Sequence, residues 1–160
     1  MATTAQLTKR YGAAYPRSAA FETRWLTMYK FPDWLKPHFA TAYGGQPVTR
    51  IWMNKDAVTP FEAVMRELVD TGRIKEIKTY DGCYNPRLMR GLNAPSVHSW
   101  ALAFDFNAKQ NPLGKAPYQA GMFTREFVAI WKKHGFRAGA DFGAGRADSM
   151  HYEYVALAVK

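Results

Sequence analysis

The chain has 160 residues, of which 48% are hydrophobic, and its 22 basic and 13 acidic residues give a formal net charge of +9. The length fits one compact domain, and the hydrophobic fraction is too high for an intrinsically disordered chain. No stretch approaches the roughly 18 apolar residues that a membrane-spanning helix needs. The single cysteine, Cys83, excludes an internal disulfide and a cysteine-rich metal site.

A net positive charge attracts a protein to polyanions, but the basic residues of this chain are scattered along the sequence. No run of five or more like charges occurs, so the pattern gives little support for a nucleic-acid partner, and we expect none. Electrostatic contact with an anionic cell envelope is the partner that this charge predicts. The alternative is that the basic residues form an ordinary solvated surface without a specific partner.

The first part of the chain, residues 1 to about 46, predicts a helical or irregular part of the same domain. Its aromatic residues between Ala19 and Tyr43 are spaced like one or two short helices, interrupted by Pro32 and Pro37. The alternating segment from Val48 to Met53 then predicts a strand.

The remainder alternates between helical and strand patterns. Thr59 followed by Pro60 predicts the start of a helix that Gly72 closes. A second helix follows from the apolar spacing between Phe123 and Trp131. Three further strands are predicted, at residues 74–80, at residues 100–106 and in the final HYEYVALAV. The pattern predicts one α+β domain over residues 1–160, with a small, mainly antiparallel sheet flanked by helices.

Two of the four histidines have an acidic residue at a suggestive spacing. Asp105 lies in an almost wholly apolar strand, where a carboxylate is costly to bury unless it is paired or binds a metal. His98 precedes it by seven residues and would lie on the opposite face of a straight strand. If both contact one metal, the chain must bend or bulge near Ser99 and Trp100.

The second pair is Asp148 and His151. Two histidines and one carboxylate would leave a fourth tetrahedral position for water, as catalytic zinc sites do, and a further carboxylate could take a proton from that water. The competing interpretation is a pair of satisfied core histidines with a structural salt bridge.

Three motifs in order resemble one family of enzymes. SVHSWALAFD resembles the S-x-H-x-x-G-x-A-x-D signature of the D-alanyl-D-alanine carboxypeptidase and L-alanyl-D-glutamate endopeptidase family of zinc peptidases. DSMHYEY resembles its second signature, and DGCYNPRLMRG resembles the segment before the first signature in phage and bacterial members. The resemblance covers roughly residues 48–157 and implies a Hedgehog or D-Ala-D-Ala peptidase-like fold with zinc in a cleft on the sheet.

The resemblance also implies roles for individual residues. Zn²⁺ would be held by His98, Asp105 and His151. Asp148 stands where the family has its catalytic acid, and Arg87 matches the arginine that steadies the substrate carbonyl and the oxyanion, with Arg90 as the alternative. Further contacts to substrate or site are expected from Ser96, Arg90 and Arg146. One position departs from the first signature, because Ala101 stands where the family has glycine.

The expected function is that of a monomeric phage endolysin, a bacteriolytic and antimicrobial enzyme that cleaves the L-alanyl-D-glutamate bond of peptidoglycan. The start of the chain lacks the apolar segment of a secretory signal, so we expect synthesis in the host cytoplasm and action in the periplasm or cell wall. One alternative is a D-alanyl-D-alanine carboxypeptidase or dipeptidase. Another is a zinc-stabilised binding module of the same fold without catalysis, as in Hedgehog-type relatives.

Overall fold

The structure, a computed structural model, describes residues 3–160 as an α+β fold with two antiparallel sheets. The predicted α+β class with a small antiparallel sheet is therefore confirmed. None of the helices in this range is long and apolar enough to cross a membrane. The helices are α1 (Thr4–Tyr11), α2 (Ala19–Trp25), α3 (Lys55–Asp70) and α4 (Arg125–Lys133), and the strands are β1 (Leu26–Lys30), β2 (Arg50–Asn54), β3 (Tyr80–Gly82), β4 (Ala103–Phe106), β5 (Arg137–Ala138) and β6 (His151–Glu153).

The four-stranded sheet, in the order β3-β4-β6-β5, carries the polar residues that the sequence singles out. Strands β4 and β6 are antiparallel, and their register places Asp105 opposite His151 and Ala103 opposite Glu153. Because alternate residues of a strand share a face, these four residues lie on one face of the sheet. The small side chain of Ala103 leaves room there for its larger neighbours.

The other face of this sheet packs against helices α3 and α4. Phe104 of β4 stacks on Phe61 of α3, with ring centroids 4.8 Å apart, and Tyr152 of β6 stacks on Trp131 of α4 at 4.5 Å. All four rings are fully buried. This aromatic layer holds β4 and β6 in place from behind, which fixes the positions of the polar side chains in front.

The N-terminal region differs from its prediction, because Leu26–Lys30 is the strand β1 and not part of a helix. It pairs with β2 in unbroken register, from Leu26 opposite Asn54 to Lys30 opposite Arg50. A strand partner distant in sequence outweighs local helical spacing, and the sequence alone does not reveal that partner. Helix α2 agrees with the prediction of a short helix.

The predicted start of helix α3 is wrong by several residues. Asn54, not Thr59, caps the helix, and its side-chain oxygen accepts a hydrogen bond from the backbone N–H of Asp56 at 3.0 Å. Pro60 lies inside the helix. The predicted end is confirmed, since Gly72 follows the last turn in the left-handed conformation, with φ of 75°.

The strand predicted at residues 74–80 is also wrong. Arg73–Glu76 forms a 3₁₀ helix, and β3 begins only at Tyr80. The side-chain oxygen of Asn107 accepts the backbone N–H groups of Lys78 and Thr79, at 2.7 and 2.9 Å, in place of a neighbouring strand. The final strand is shorter than predicted and ends at Glu153, while α4 ends before His134 and Gly135 as expected.

Asn54 links the two sheets through hydrogen bonds that the sequence did not reveal. Its buried side-chain amide donates to the carbonyl of Trp100 at 3.2 Å, and its backbone N–H donates to the carbonyl of Ala101 at 3.0 Å. The same side chain caps α3. It therefore holds the turn that precedes β4 against the start of the longest helix.

We expect Asn54→Ala to lower the free energy of unfolding by about 2–4 kcal/mol. The substitution removes a helix cap, worth about 1 kcal/mol, and leaves a buried carbonyl unpaired at a cost of about 1–3 kcal/mol. Urea denaturation of the two proteins measures this difference. Ser18→Ala, which removes only the cap of α2, is the matched control and should lose about 1 kcal/mol. Equal losses in both variants would contradict the role given to Asn54.

Candidate metal centre

His98 reaches the sheet face from a short 3₁₀ helix, Val97–Trp100, and the strand predicted at residues 100–106 begins only at Ala103. The hydroxyl of Ser96 caps this helix by accepting the N–H of His98 at 3.3 Å. Ala101 ends it in the left-handed conformation, with φ of 53°, and β4 begins two residues later. The bend predicted near Ser99 and Trp100 is therefore confirmed, and it is made by a helical turn followed by a reversal at Ala101.

The reversal explains why the family's signature has glycine at the position that Ala101 occupies here. A left-handed conformation costs a residue with a Cβ atom roughly 1–2 kcal/mol, whereas glycine adopts it freely. Here the hydrogen bonds from Asn54 to Trp100 and Ala101 hold the turn in place. The added methyl group is fully buried, so it does not narrow the surface in front of His98.

His98, Asp105 and His151 converge, with one potential ligand atom from each lying within 4.8 Å of the others. The Asp105 carboxylate lies between the two imidazoles. One oxygen is 3.1 Å from His98 Nε2, and the other is 3.2 Å from His151 Nδ1. Both histidines are buried, and Asp105 is only slightly exposed. The three residues that the sequence assigns to a metal thus share one small space.

The second nitrogen of each imidazole contacts an oxygen outside the cluster. His98 Nδ1 lies 2.7 Å from the carbonyl oxygen of Cys83, and His151 Nε2 lies 3.1 Å from a carboxylate oxygen of Glu153. Arg137 is 3.5 Å from the other oxygen of Glu153. Metal-binding histidines commonly bond a carbonyl or a carboxylate through their far nitrogen, which fixes the tautomer and the ring orientation. The arrangement matches that pattern for both rings.

The charges at the centre depend on each other. Burial alone would lower the pKa of His151, but its hydrogen bonds with Asp105 and Glu153 outweigh burial and raise it to about 10. Burial opposes ionisation of Asp105, yet contacts with His151 and His98 hold the pKa of this carboxyl below its usual range. The pKa of each group in the cluster therefore depends on the charge of its neighbours.

The donor set fits zinc. Two imidazole nitrogens and one carboxylate oxygen are the ligands that Zn²⁺ takes in hydrolytic enzymes, with the fourth position left open. His98 Nε2 is buried and has no hydrogen-bond partner within residues 3–160, although Asp105 lies at ion-pair distance. A buried imidazole nitrogen without a partner is costly, and a bound metal ion would satisfy it.

Asp148 is held beside the cluster by its backbone. Its N–H donates to the carbonyl of Gly139 at 2.8 Å, and its carbonyl accepts the N–H of His151 at 3.0 Å. A Cβ atom at Gly139 would lie 2.0 Å from the Asp148 carbonyl oxygen, so only glycine allows this approach. The side chain of Asp148 is half-buried, and its Oδ1 has no partner among the described residues. Burial raises the pKa of this carboxyl.

The arginines are placed differently from each other. The backbone of Arg87 is fixed, because its N–H donates to the hydroxyl of Ser99 and its carbonyl accepts from that hydroxyl, at 3.1 and 3.2 Å. Its guanidinium donates to the carbonyl of Leu88. Arg90 and Arg146 are exposed, and the charge of Arg90 lowers the pKa of Asp148. Their roles toward a substrate stay predictions.

Sequence reasoning missed the residues that act through the backbone. Ser99 is fully buried and joins the Arg87 segment to the His98 helix, yet a serine in an apolar run gives no specific signal. Gly139 lies in a stretch with several other glycines, so its close contact with Asp148 is not evident from sequence. Glu153 follows His151 by two residues, so strand alternation predicts that the two side chains share a face, and their hydrogen bond confirms this.

Comparison with known proteins gives one match, which is to a family model. Neither the curated proteins nor the solved structures give a match to this chain. Residues 90–154 match the family model described as D-alanyl-D-alanine carboxypeptidase, and this range contains His98, Asp105, Asp148 and His151. The match covers less than half of the chain, and it makes this part of the chain similar to the D-alanyl-D-alanine carboxypeptidase family.

Proposed function

We propose that this protein is a zinc endopeptidase that cleaves the L-alanyl-D-glutamate bond in the stem peptide of bacterial peptidoglycan. The observation that carries the proposal is the convergence of His98, Asp105 and His151 with the Asp148 carboxylate beside them. A purely structural metal site needs no further acid, whereas hydrolysis needs a group to accept and return a proton. This difference favours the enzyme over a binding module of the same fold.

Zn²⁺ would be held by His98 Nε2, a carboxylate oxygen of Asp105 and His151 Nδ1. When bound, it supplies Lewis-acid polarisation of the amide carbonyl and of the attacking water. Cys83 and Glu153 orient the two imidazoles through their far nitrogens.

The chain's own groups then handle the proton and the developing charge. Asp148 accepts a proton from the attacking water and returns it to the nitrogen of the leaving amine when the C–N bond breaks, so that its own protonation state is restored. Its unpaired oxygen and its pKa, which burial raises, suit a group that must bind and release a proton. Arg87 is the candidate donor to the carbonyl oxygen as negative charge develops there.

Two surface grooves of about 360 Å³ each are lined by residues that neighbour the centre along the chain or through the backbone, and they are the candidate sites for the substrate on either side of the bond. One is lined by Ala147, the residue before Asp148, together with small residues of the 139–145 region. The other is lined by Asn85, whose N–H donates to the carbonyl of His98 at 3.0 Å. An endopeptidase must accept chain on both sides of the bond, whereas a carboxypeptidase needs a closed pocket with donors for a terminal carboxylate.

The phage type of enzyme is supported by the sequence. The acid at position 148 is aspartate, as in phage endopeptidases, and a loop with two glycines, 143–146, precedes it. A net charge of +9 would draw the protein to the anionic envelope, and Arg87 and Arg146 are candidates to meet the carboxylates of the stem peptide. We propose that it acts as a monomer on the cell wall.

Mass spectrometry of products from purified Gram-negative peptidoglycan tests this proposal. New amino-terminal glutamate, with alanine left on the muramyl side, is the expected product. Release of free D-alanine from an otherwise intact stem would instead identify a D,D-carboxypeptidase. If the zinc-loaded protein produces neither product, it is not a peptidase of this substrate.

Gly139→Ala should slow hydrolysis by up to about 10²-fold, because the added methyl group must push the Asp148 backbone away from its position. A displacement of about 1 Å at a reacting group can cost that much. The measurement is kcat at a temperature where the variant is fully folded. Gly121→Ala is the control, since its φ of 82° makes any side chain strained but its Cβ would contact nothing within 4 Å. If both variants keep the wild-type rate, the Asp148 backbone position is unimportant for catalysis.

A further inference from the structure

The second groove contains an aromatic residue that neither the fold nor the metal centre requires. Trp52 is 50% exposed, although its strand neighbours Ile51 and Met53 are buried. The other four tryptophans are buried or packed against the core. Strand alternation turns Trp52 outward, where it lines the groove together with Tyr84 and Asn85. An exposed indole in a concave surface indicates a ligand that presents a flat apolar face.

Polar groups surround this indole and pair with one another. The hydroxyl of Tyr84 donates to Glu22 at 2.8 Å, and the guanidinium of Arg17 also bonds the Glu22 carboxylate. The groove therefore offers donors and acceptors along its edge, while the positive and the negative charge that line it neutralise each other. This balance suits a neutral, hydroxyl-rich ligand and does not suit the carboxylates of a stem peptide.

One residue that lines the groove, Asn85, is bonded to the backbone of the metal centre. Tyr84, Asn85 and Pro86 line the groove, and the same stretch of chain begins at Cys83, whose carbonyl contacts His98, and continues to Arg87, which Ser99 fixes. Asn85 itself donates to the carbonyl of His98. A ligand in this groove would therefore contact a residue that is bonded directly to the backbone of His98.

We propose that this groove, defined by Trp52, Tyr84, Asn85, Arg17 and Glu22, binds an N-acetylated hexosamine of the glycan strand. A pyranose ring presents a C–H face that packs on an indole and a rim of hydroxyls that bond polar groups in its plane. The inference rests on the proposed function. In peptidoglycan the L-alanine of the stem is joined by an amide bond to the lactyl group of the muramyl sugar, so the sugar lies within about 7–10 Å of the L-alanyl-D-glutamate bond at about 3.5 Å per extended residue.

The groove also bears on which bond is cut. The D-alanyl-D-alanine end of the stem lies several residues farther from the sugar than the L-alanyl-D-glutamate bond. An enzyme acting there gains nothing from a sugar site beside its metal centre. A sugar in this groove would therefore favour cleavage next to the glycan strand.

Binding is tested by NMR titration of the full chain with N-acetylglucosamine tetrasaccharide. We expect shifts of the amides of Trp52, Tyr84 and Asn85, and at least tenfold weaker binding by Trp52→Ala. Tyr43→Ala is the control, because Tyr43 is 63% exposed and does not line the groove, and it should bind like the wild type. Shifts elsewhere, equal loss in both variants, or shifts of these residues with a glycan-free stem peptide would overturn the proposal. If Trp52→Ala does not fold, the amide shifts of the wild-type protein alone decide whether the groove binds the sugar.

Hydrolysis gives an independent readout. Trp52→Ala should lower kcat/KM about tenfold on a disaccharide-linked stem peptide and leave the glycan-free peptide nearly unchanged. Equal loss on both substrates would contradict a sugar site. If the protein binds the tetrasaccharide at Trp52 but cleaves no peptide, the sugar site is confirmed and the proposed catalytic function is wrong. If it cleaves the peptide but does not bind the sugar, the catalytic function is supported and the sugar site is wrong.

Discussion

Asp148→Asn should keep its metal and lose about 10²–10⁴ in kcat, the usual range for removing a general acid–base group. The amide of asparagine has nearly the same shape as the carboxylate but cannot accept and return the proton. The backbone of residue 148 is fixed by Gly139 and His151 whichever side chain it carries. The substitution therefore removes the chemistry and leaves the position of the residue intact. Steady-state hydrolysis of peptidoglycan fragments and metal analysis of the same sample measure the two effects.

The metal content and the activity of Asp148→Asn together distinguish a general base from a metal ligand. Substantial loss of metal in Asp148→Asn would make Asp148 a ligand and not a base. Near-normal activity would move the role to another acid, and Glu153 is the nearest candidate by sequence. Glu153 is, however, buried and bonded to His151 Nε2, so we expect Glu153→Gln to act on metal affinity, by about 10–100-fold, and not on the proton transfer.

Arg87→Ala should lower kcat by about 10²–10³, as the loss of one oxyanion-stabilising donor typically does, with a smaller change in KM. The backbone of Arg87 is anchored to Ser99, so its side chain starts from a fixed point near His98. The guanidinium bonds the adjacent Leu88 carbonyl, and it must leave that contact to reach a substrate. Arg87→Lys keeps the charge and should recover only part of the rate, because lysine lacks the planar fork of donors.

Arg90→Ala is the comparison that tests which arginine acts. Arg90 is exposed, and its charge influences Asp148. Its removal should change the rate far less than removal of Arg87. A severe defect in Arg90→Ala beside a mild one in Arg87→Ala would assign the oxyanion role to Arg90.

The sequence predicted the members of the metal centre better than the elements that carry them. Asp105 attracts attention because a carboxylate in an apolar strand needs a partner, and His98 and His151 join it because three ordered motifs resemble one family; the structure brings these three candidate ligands together. The 3₁₀ helix under His98 was not predicted, since four residues give no periodic signal and the turn depends on hydrogen bonds from Asn54, far away in sequence. Only the need for a bend could be inferred.

The other errors have the same origin. Residues 74–80 alternate like a strand, but Asn107 takes the hydrogen bonds that a neighbouring strand would have made. Leu26–Lys30 forms a strand only because β2 pairs with it. Both outcomes depend on contacts between distant parts of the chain, which local propensity does not encode. The helices at α3 and α4 were found because their apolar spacing persists over several turns.

The central claim is one zinc ion held by His98, Asp105 and His151, and X-ray absorption spectroscopy of the zinc-loaded protein tests it most directly. The account predicts about one zinc per chain with two imidazole nitrogens and carboxylate or water oxygens at about 2.0–2.2 Å. It also predicts loss of that zinc in His151→Ala, while His38→Ala keeps it. Sulfur in the first coordination sphere, fewer than two imidazoles, or full zinc retention in His151→Ala would contradict the account.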